Sequence, residues 1–351
     1  MAFRRWFYKL SKLRSLVRNK IPFMAVTATA SRQTKETITS VLRFGNFVEV
    51  SESPNKSNIC YIIQTMDKHT PLLQYFQWIL NELKEKKGGT ERTIIYCQTI
   101  KQCSTLYSLF MQEMGDSIFA TDSKDPVEML HALSSKSNKE VILQEMGQDT
   151  GCIRVLICTI AFGMSVNCKG VQRIIHLGPS KSVEAYIQES GRAGRDGSQS
   201  KALLLYQSFM LLHGEKDMKD YVKGKYTCRR AFLMGHFDGK GGKFQTSSSQ
   251  SDFVCCDLCS RDTSLKISVS AHTPYAGKTR TVSSTQKTTL KGKLITLRKS
   301  LLVELLYQSP KGELPVASVP ELSIGFSDHQ IAQVFENCDK IFSISDIKAK
   351  C

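Results

Sequence analysis

Four short, mainly apolar runs constrain this chain more than any other feature. They are Thr93-Ile94-Ile95-Tyr96-Cys97, Val155-Leu156-Ile157-Cys158-Thr159, Arg173-Ile174-Ile175-His176-Leu177 and Ala202-Leu203-Leu204-Leu205-Tyr206. Side chains along a strand alternate between two faces, so a run that is apolar at nearly every position must be covered on both. A fifth strand is expected at 60–65, CYIIQT. Between the strands lie segments of helical period. One is 71–86, with Leu72, Phe76, Ile79, Leu80 and Leu83 on one face before Gly88-Gly89 breaks it, and another is 101–114. Strand and helix alternating from 59 to 206 predict an α/β fold built on a parallel sheet.

At 351 residues the chain has room for two or three domains. Its net charge of +16 calls for a polyanionic partner, nucleic acid first and an anionic membrane surface second. Most of the twelve cysteines stand singly in apolar runs, as Cys60, Cys97, Cys103, Cys152 and Cys158 do. That is the pattern of reduced, buried thiols in cytosol or nucleus, not of a small secreted disulfide framework. The longest apolar run, near 155–166, is shorter than the about 20 residues a membrane span needs.

The densest functional signal is Gln188-Glu189-Ser190-Gly191-Arg192-Ala193-Gly194-Arg195-Asp196-Gly197. Two arginines three residues apart share one side of a helical turn or tight loop. The glycine before each lets the backbone approach a neighbour or take φ > 0. Such a pair can grip phosphate and stabilise charge that develops as a γ-phosphoryl group leaves. A solvated surface turn would be the plain alternative.

This string resembles the last motif of superfamily 2 helicases, and of the RecQ family of DNA helicases in particular. The preceding Ala161-Phe162-Gly163-Met164 and Ile174-Ile175-His176-Leu177-Gly178 match that family in order and distance, and the resemblance runs from about residue 3 to 260. It implies a second RecA-like lobe at 51–210, a zinc-binding subdomain at 211–262, and at 1–50 a remnant of the first RecA-like lobe. A basic linker at 263–289 and a helical tail at 290–351 complete the expected division. It also implies ATP-dependent unwinding of DNA in the 3′ to 5′ direction during repair and recombination, with ATP, Mg²⁺ and Zn²⁺ as cofactors, single-stranded, forked or junction DNA as partner, and a nuclear location. Arg192 and Arg195 would reach the β,γ-phosphates and Gln188 would couple that site to lobe closure. Thr27 and Thr29 of a Thr-Ala-Thr motif, Tyr96, Gln98, Thr99, Thr159, Phe162 and Gly163 would contact DNA. Trp6 and Phe7 would stack on bases, or pack as core. The family pattern changes in places: His131-Ala132-Leu133 stands for His-Ala-Gly, and Ser165 for a glycine. The segment before His131 is acidic and turn-rich where the family has a strand, and His131 itself reads as an ordinary histidine.

The first twenty residues carry seven basic side chains and no acid, which mimics a mitochondrial presequence. Phe3-Arg4, Phe7 and Leu10 instead resemble an aromatic-rich loop of the first helicase lobe, and that reading is preferred. Ser31 is the expected N-cap of a helix at 32–42.

Cys228, Cys255, Cys256 and Cys259 form the second chemical signal. A Cys-x2-Cys with two further cysteines is a donor set for tetrahedral zinc. Spacing alone leaves Cys255 as a possible spare thiol; the resemblance, which includes relatives ending in Cys-Cys-x2-Cys, makes all four ligands, in a structural role. The stretch 239–251 is low in complexity. From 264 to 300 there are eight Lys or Arg and no acid, read either as a solvated linker or as a phosphate-tracking segment. Helices are expected at 290–307, after Ser327, and near 341–347.

A glycine-rich phosphate loop with Gly-Lys-Ser/Thr and an Asp-Glu-x-His motif are both expected to be absent. The expected reading is therefore a truncated RecQ-like helicase whose chain alone is inactive. Two rivals are kept: a non-catalytic DNA-binding and interaction module, and a DEAD-box RNA helicase, against which the four cysteines argue.

Overall fold

A computed structural model describes residues 12, 16, 21–27, 29–68, 70–115, 126–159, 168–212, 214–237, 253–260, 265–268, 280–308 and 328–341. Along these run α1 (Arg32–Val41), β1 (Ile59–Thr65), α2 (Gln77–Lys86), β2 (Arg92–Cys97), α3 (Ile100–Met114), β3 (Val127–Leu130), α4 (Lys136–Met146), β4 (Val155–Thr159), β5 (Val171–Leu177), α5 (Val183–Ser190), β6 (Ser200–Tyr206), α6 (Lys216–Lys223), α7 (Arg229–Met234), α8 (Ser284–Gln308) and α9 (Asp328–Glu336). The α/β class is as expected, with every recorded strand pairing parallel. The chain divides into two compact units, 1–65 with 170–267, and 66–169 with 268–351.

In the first unit β6 lies between β1 and β5. Its register runs from Ile59↔Ser200 to Thr65↔Tyr206 on one side and from Arg173↔Lys201 to Leu177↔Leu205 on the other. The apolar face of these strands meets α5, α6 and α7 in one core built on Ile59, Tyr61, Tyr186, Tyr221, Leu204, Leu233 and Met234. Aromatic rings run through it, Tyr61 to Tyr186 at 6.2 Å and Tyr186 to Tyr221 at 5.3 Å between centroids, and such pairs add to area burial. Helix α1 starts where its cap predicts: the Ser31 hydroxyl accepts from the Thr34 amide at 3.2 Å. Its start is held from outside, because the Ser31 amide donates to Glu184 Oε1 at 2.6 Å.

In the second unit β4 lies between β2 and β3, registered Thr93↔Val155 to Cys97↔Thr159 and Val127↔Val155 to Leu130↔Cys158. Every residue of β2 and β4 is buried, as their apolar runs require. Strand β3 stands in the segment expected to be turn-rich. It has only four residues, with a half-buried Glu128 inside, too short for an apolar period to show. The turn after it is closed by His131, fully buried, whose Nδ1 accepts from the Leu133 amide at 3.2 Å while its own amide donates to Ser134 Oγ at 3.0 Å. Arg92 is buried as well, and its guanidinium donates to the carbonyls of Gln148, Lys169 and Gly151 at 2.7, 2.9 and 2.7 Å.

Helix α8 begins at Ser284, earlier than the apolar pattern indicates. A reciprocal cap explains it: Ser283 Oγ accepts from the Gln286 amide at 3.2 Å, and Gln286 Oε1 accepts from the Ser283 amide at 2.9 Å. Arg298 pairs with Asp328 of α9 at 2.6 Å. The helix expected near 341–347 lies outside the described residues except for Ile341. Among the described residues no helix is long and apolar enough to cross a membrane.

Candidate functional site

Helix α5 ends in the arginine turn. Its N-terminus is fixed by Ser182, whose hydroxyl accepts from the Ala185 amide at 3.2 Å. Its last turn is anchored by Glu189, a buried carboxylate with His176 Nε2 at 2.9 Å and the Ser180 hydroxyl donating at 2.5 Å. Gln188, beside it on the helix, is exposed. The chain then leaves the helix, and residues 191–199 form turns, not a continued helix. Gly194 sits at φ +59, and its amide donates to the Val171 carbonyl at 2.9 Å. Arg192 is buried at 5 % exposure and Arg195 is exposed, so the pair spans the boundary between interior and solvent.

Residues that sequence reading missed hold this turn from behind. Asn58 donates through its side-chain amide to the carbonyls of Gly194 at 2.8 Å and Ser198 at 2.7 Å. Lys56 donates to the Gly191 carbonyl at 2.7 Å. Burial, and then the nearby positive charge of Arg195, push the Lys56 ammonium below the usual lysine range. Like charges gathered on a fixed backbone are a ready anion site. Nothing in the local string Asn55-Lys56-Ser57-Asn58 distinguishes it from an ordinary polar turn. Asp196 closes the far side, accepting from the Ser198 hydroxyl at 2.7 Å and amide at 3.1 Å, and the Ser198 hydrogen bonds hold its carboxyl below the usual range.

The four cysteines separated in sequence come together. The sulfurs of Cys228, Cys255, Cys256 and Cys259 all lie within 4.8 Å of one another, with Cys228 and Cys255 at 3.6 Å. Four sulfurs at bond lengths of about 2.3 Å around zinc would be separated by roughly 3.8 Å, so the set fits the ion and leaves no open position. Cys255 is therefore part of the cluster, not a spare thiol. Hydrogen bonds from the Cys228 and Cys255 thiols hold the Cys256 thiol well below its ordinary range. Cys228 caps α7, its sulfur accepting from the Ala231 amide at 3.5 Å. Residues 255–257 are bonded to β1 in a single parallel bridge, with the Tyr61 amide donating to the Cys255 carbonyl at 3.2 Å and the Asp257 amide to the Tyr61 carbonyl at 3.1 Å. Arg229 and the fully buried Asp257 carboxylate complete the joint in a two-pronged ion pair, the Nη2 prong at 2.9 Å.

The expected DNA-contacting residues fall in different settings. Thr27 is exposed, with its hydroxyl donating to the Thr29 carbonyl at 3.0 Å, and Thr29 is half-buried. Tyr96 is buried at 3 % and Thr159 at 9 % exposure, on neighbouring strands β2 and β4. Gln98 is half-buried and Thr99 exposed; Thr99 caps α3, its hydroxyl accepting from the Gln102 amide at 3.1 Å. Trp6, Phe7, Phe162 and Gly163 lie outside the described residues.

The helicase conserved C-terminal domain family matches residues 74–197. "RecQ-like DNA helicase BLM" of Xenopus laevis is 30 % identical over 73 % of this chain and 19 % of its own length. "ATP-dependent DNA helicase Q-like 2" of Arabidopsis thaliana is 28 % identical over 70 % of this chain and 34 % of its own. "ATP-dependent DNA helicase RecQ" of Haemophilus influenzae is 29 % identical over 68 % and 37 %. Over about seven tenths of its length this chain is similar to RecQ-type DNA helicases. The chain spans between about a fifth and just over a third of the length of these relatives. Among solved structures, Mycobacterium smegmatis helicase Lhr bound to ssDNA and AMP-PNP aligns with a TM-score of 0.44 at 16 % identity, over 56 % of this chain and 26 % of that one.

A Gly-Lys-Thr tripeptide, expected to be absent, does occur at Gly277-Lys278-Thr279, outside the described residues. A phosphate loop needs another glycine five positions earlier, and His272 stands there.

Proposed function

We propose that this chain supplies the arginine-bearing lobe of an ATP-dependent 3′ to 5′ DNA helicase acting in repair and recombination in the nucleus. The observation that carries the reading is the arginine turn itself: Arg192 and Arg195 sit on a backbone fixed by Asn58, Lys56 and Gly194. A group that must stabilise charge developing on a phosphoryl oxygen has to be placed before the reaction, because reorganising it during the reaction would cost the rate it supplies. The names of the relatives, ATP-dependent and RecQ-like DNA helicases, support ATP and DNA as the ligands.

In this reading Arg192 and Arg195 meet the β,γ-phosphates of ATP. The nucleotide and its Mg²⁺ are gripped by a lobe that carries the Gly-x4-Gly-Lys-Ser/Thr loop. Gln188, exposed one turn earlier, reports the nucleotide to that lobe. Thr27, Thr29, Tyr96, Gln98, Thr99, Thr159, Phe162 and Gly163 follow the DNA strand, and Trp6 and Phe7 stack on its bases. Cys228, Cys255, Cys256 and Cys259 would hold Zn²⁺, which supplies cross-linking and no chemistry on substrate. The chain by itself is expected to turn over no ATP.

The test joins this chain to the loop-bearing lobe of a RecQ relative and measures ATP turnover stimulated by single-stranded DNA. Arg192→Ala and Arg195→Ala are each expected to lower turnover by about 10³-fold; unchanged turnover in both overturns the reading. A non-catalytic DNA-binding module is the second reading, favoured by the net charge of +16 without a phosphate loop. Turnover in the joined protein excludes it.

A further inference from the structure

Arg230 follows the first cysteine of the cluster and is buried at 6 % exposure, yet it is not a candidate ligand. Its guanidinium faces two ways. Nε donates to the Cys255 sulfur at 3.3 Å. The other two nitrogens donate to the segment just ahead of β1: Nη1 to Asn55 Oδ1 at 3.1 Å and to the Lys56 carbonyl, Nη2 to the Ser57 carbonyl at 3.0 Å and the Ile59 carbonyl at 2.6 Å. The guanidinium plane also rests against the Tyr61 ring, 5.4 Å from its centroid. Residues 55–59 are therefore gripped on one side by Arg230, and on the other their Lys56 and Asn58 side chains hold Gly191, Gly194 and Ser198 of the arginine turn.

We propose that Arg230 is a positioning residue that carries the state of the four-cysteine cluster to the arginine turn, through the backbone of residues 55–59. The inference rests on the reading of that turn as the phosphate-contacting element. Its physical basis is the rigid planar fork of arginine, which satisfies several acceptors in one fixed geometry that a lysine ammonium cannot reproduce. With metal bound, Cys255 is fixed, Nε has a fixed acceptor, and the remaining nitrogens hold the carbonyls of Lys56, Ser57 and Ile59 in one register. With the cluster open, Cys255 is free to move and the fork loses one of its two anchors. Lys56 and Asn58 then lose the backbone that aims them.

Hydrogen exchange on the full zinc-loaded chain tests this without requiring ATP turnover. Arg230→Lys keeps the charge and the aliphatic stem, so zinc content should stay at the wild-type level. Exchange at Gly194 and Ser200 should nevertheless speed by about tenfold, while amides of β2 such as Thr93 keep their wild-type rate. Chelating zinc from the wild-type chain should loosen the same two amides. Chelation of Arg230→Lys should add little further, because the link is already cut. Two results overturn the proposal: wild-type exchange at Gly194 and Ser200 in Arg230→Lys, or equal loosening by chelator in both proteins. If Arg230→Lys also loses zinc or exchanges fast throughout, Asn58→Asp serves as the second variant. It keeps the fork and the metal and removes the donor to Gly194, so chelation should no longer change exchange at Gly194; a chelator response of wild-type size overturns the proposal. Failure of the phosphate reading would show instead as unchanged ATP turnover in the arginine variants, with these exchange results intact.

Discussion

Asn58 and Gly194 are fitted to each other so closely that neither can change alone. The Asn58 amide nitrogen donates to the Gly194 carbonyl at 2.8 Å, and a Cβ placed on Gly194 would lie 2.3 Å from that same nitrogen. Gly194 also occupies φ +59, which L side chains rarely adopt. Asn58→Ala should cost about 1–3 kcal/mol by removing two buried hydrogen bonds, after which the Gly194 and Ser198 carbonyls keep only the Gly197 amide and the Ser200 hydroxyl, each at 3.2 Å. Gly194→Ala should cost a similar amount through strain and displacement of Asn58. Denaturant midpoints of the two variants check both values.

The Arg229–Asp257 pair joins the cysteine segment 255–259 to α7, with the Asp257 side chain fully buried. Arg229→Ala leaves that carboxylate without its strongest partner and should cost about 3–5 kcal/mol. Urea unfolding of the purified variant reads the loss; a change under about 0.5 kcal/mol would mean that solvent reaches Asp257 freely.

Cys256→Ser removes the most deeply buried member of the cluster and should abolish stoichiometric zinc, with a clear fall in Tm. Cys152 makes a contact with Glu145 at 3.1 Å, in the other unit, so Cys152→Ser should keep its zinc. Metal analysis after dialysis separates the two outcomes.

His131 supplies a pH dependence with a definite sign. Burial, and then the charge of Lys139, lower its folded pKa below the ordinary 6.5. The folded state thus binds fewer protons than the unfolded one. The stability this neutral ring contributes is fully present above about pH 6.5 and is lost as pH falls through the lowered folded value. His131→Asn, which keeps an acceptor for the Leu133 amide, should show a smaller drop in stability between pH 7 and pH 5. Thermal unfolding at both pH values measures the difference.

The sheet was legible because β2 and β4 are apolar at almost every position, and burial on both faces allows little else. The arginine turn and the cysteine set were legible because their residue types are chemically committed and their spacing is tight. Strand β3 was not, since four residues containing Glu128 hold no period to detect. Asn58, Lys56 and Arg230 escaped for another reason. Each acts on carbonyls more than a hundred residues away in the chain, and backbone oxygens leave no mark in a sequence. Arg92 is the same case at shorter range, an arginine that opens a strand and donates to loop carbonyls.

The bonding of residues 255–257 along Tyr61 has a further consequence. Strand β1 is the outermost of its sheet, and residues 255–257 of the cysteine cluster bridge to it at Tyr61 on the side that would otherwise be open. An uncovered apolar strand margin is a template for pairing with other molecules. Removing zinc is therefore expected to bare this margin and raise light scattering from the chain, a rise that Cys152→Ser should not reproduce.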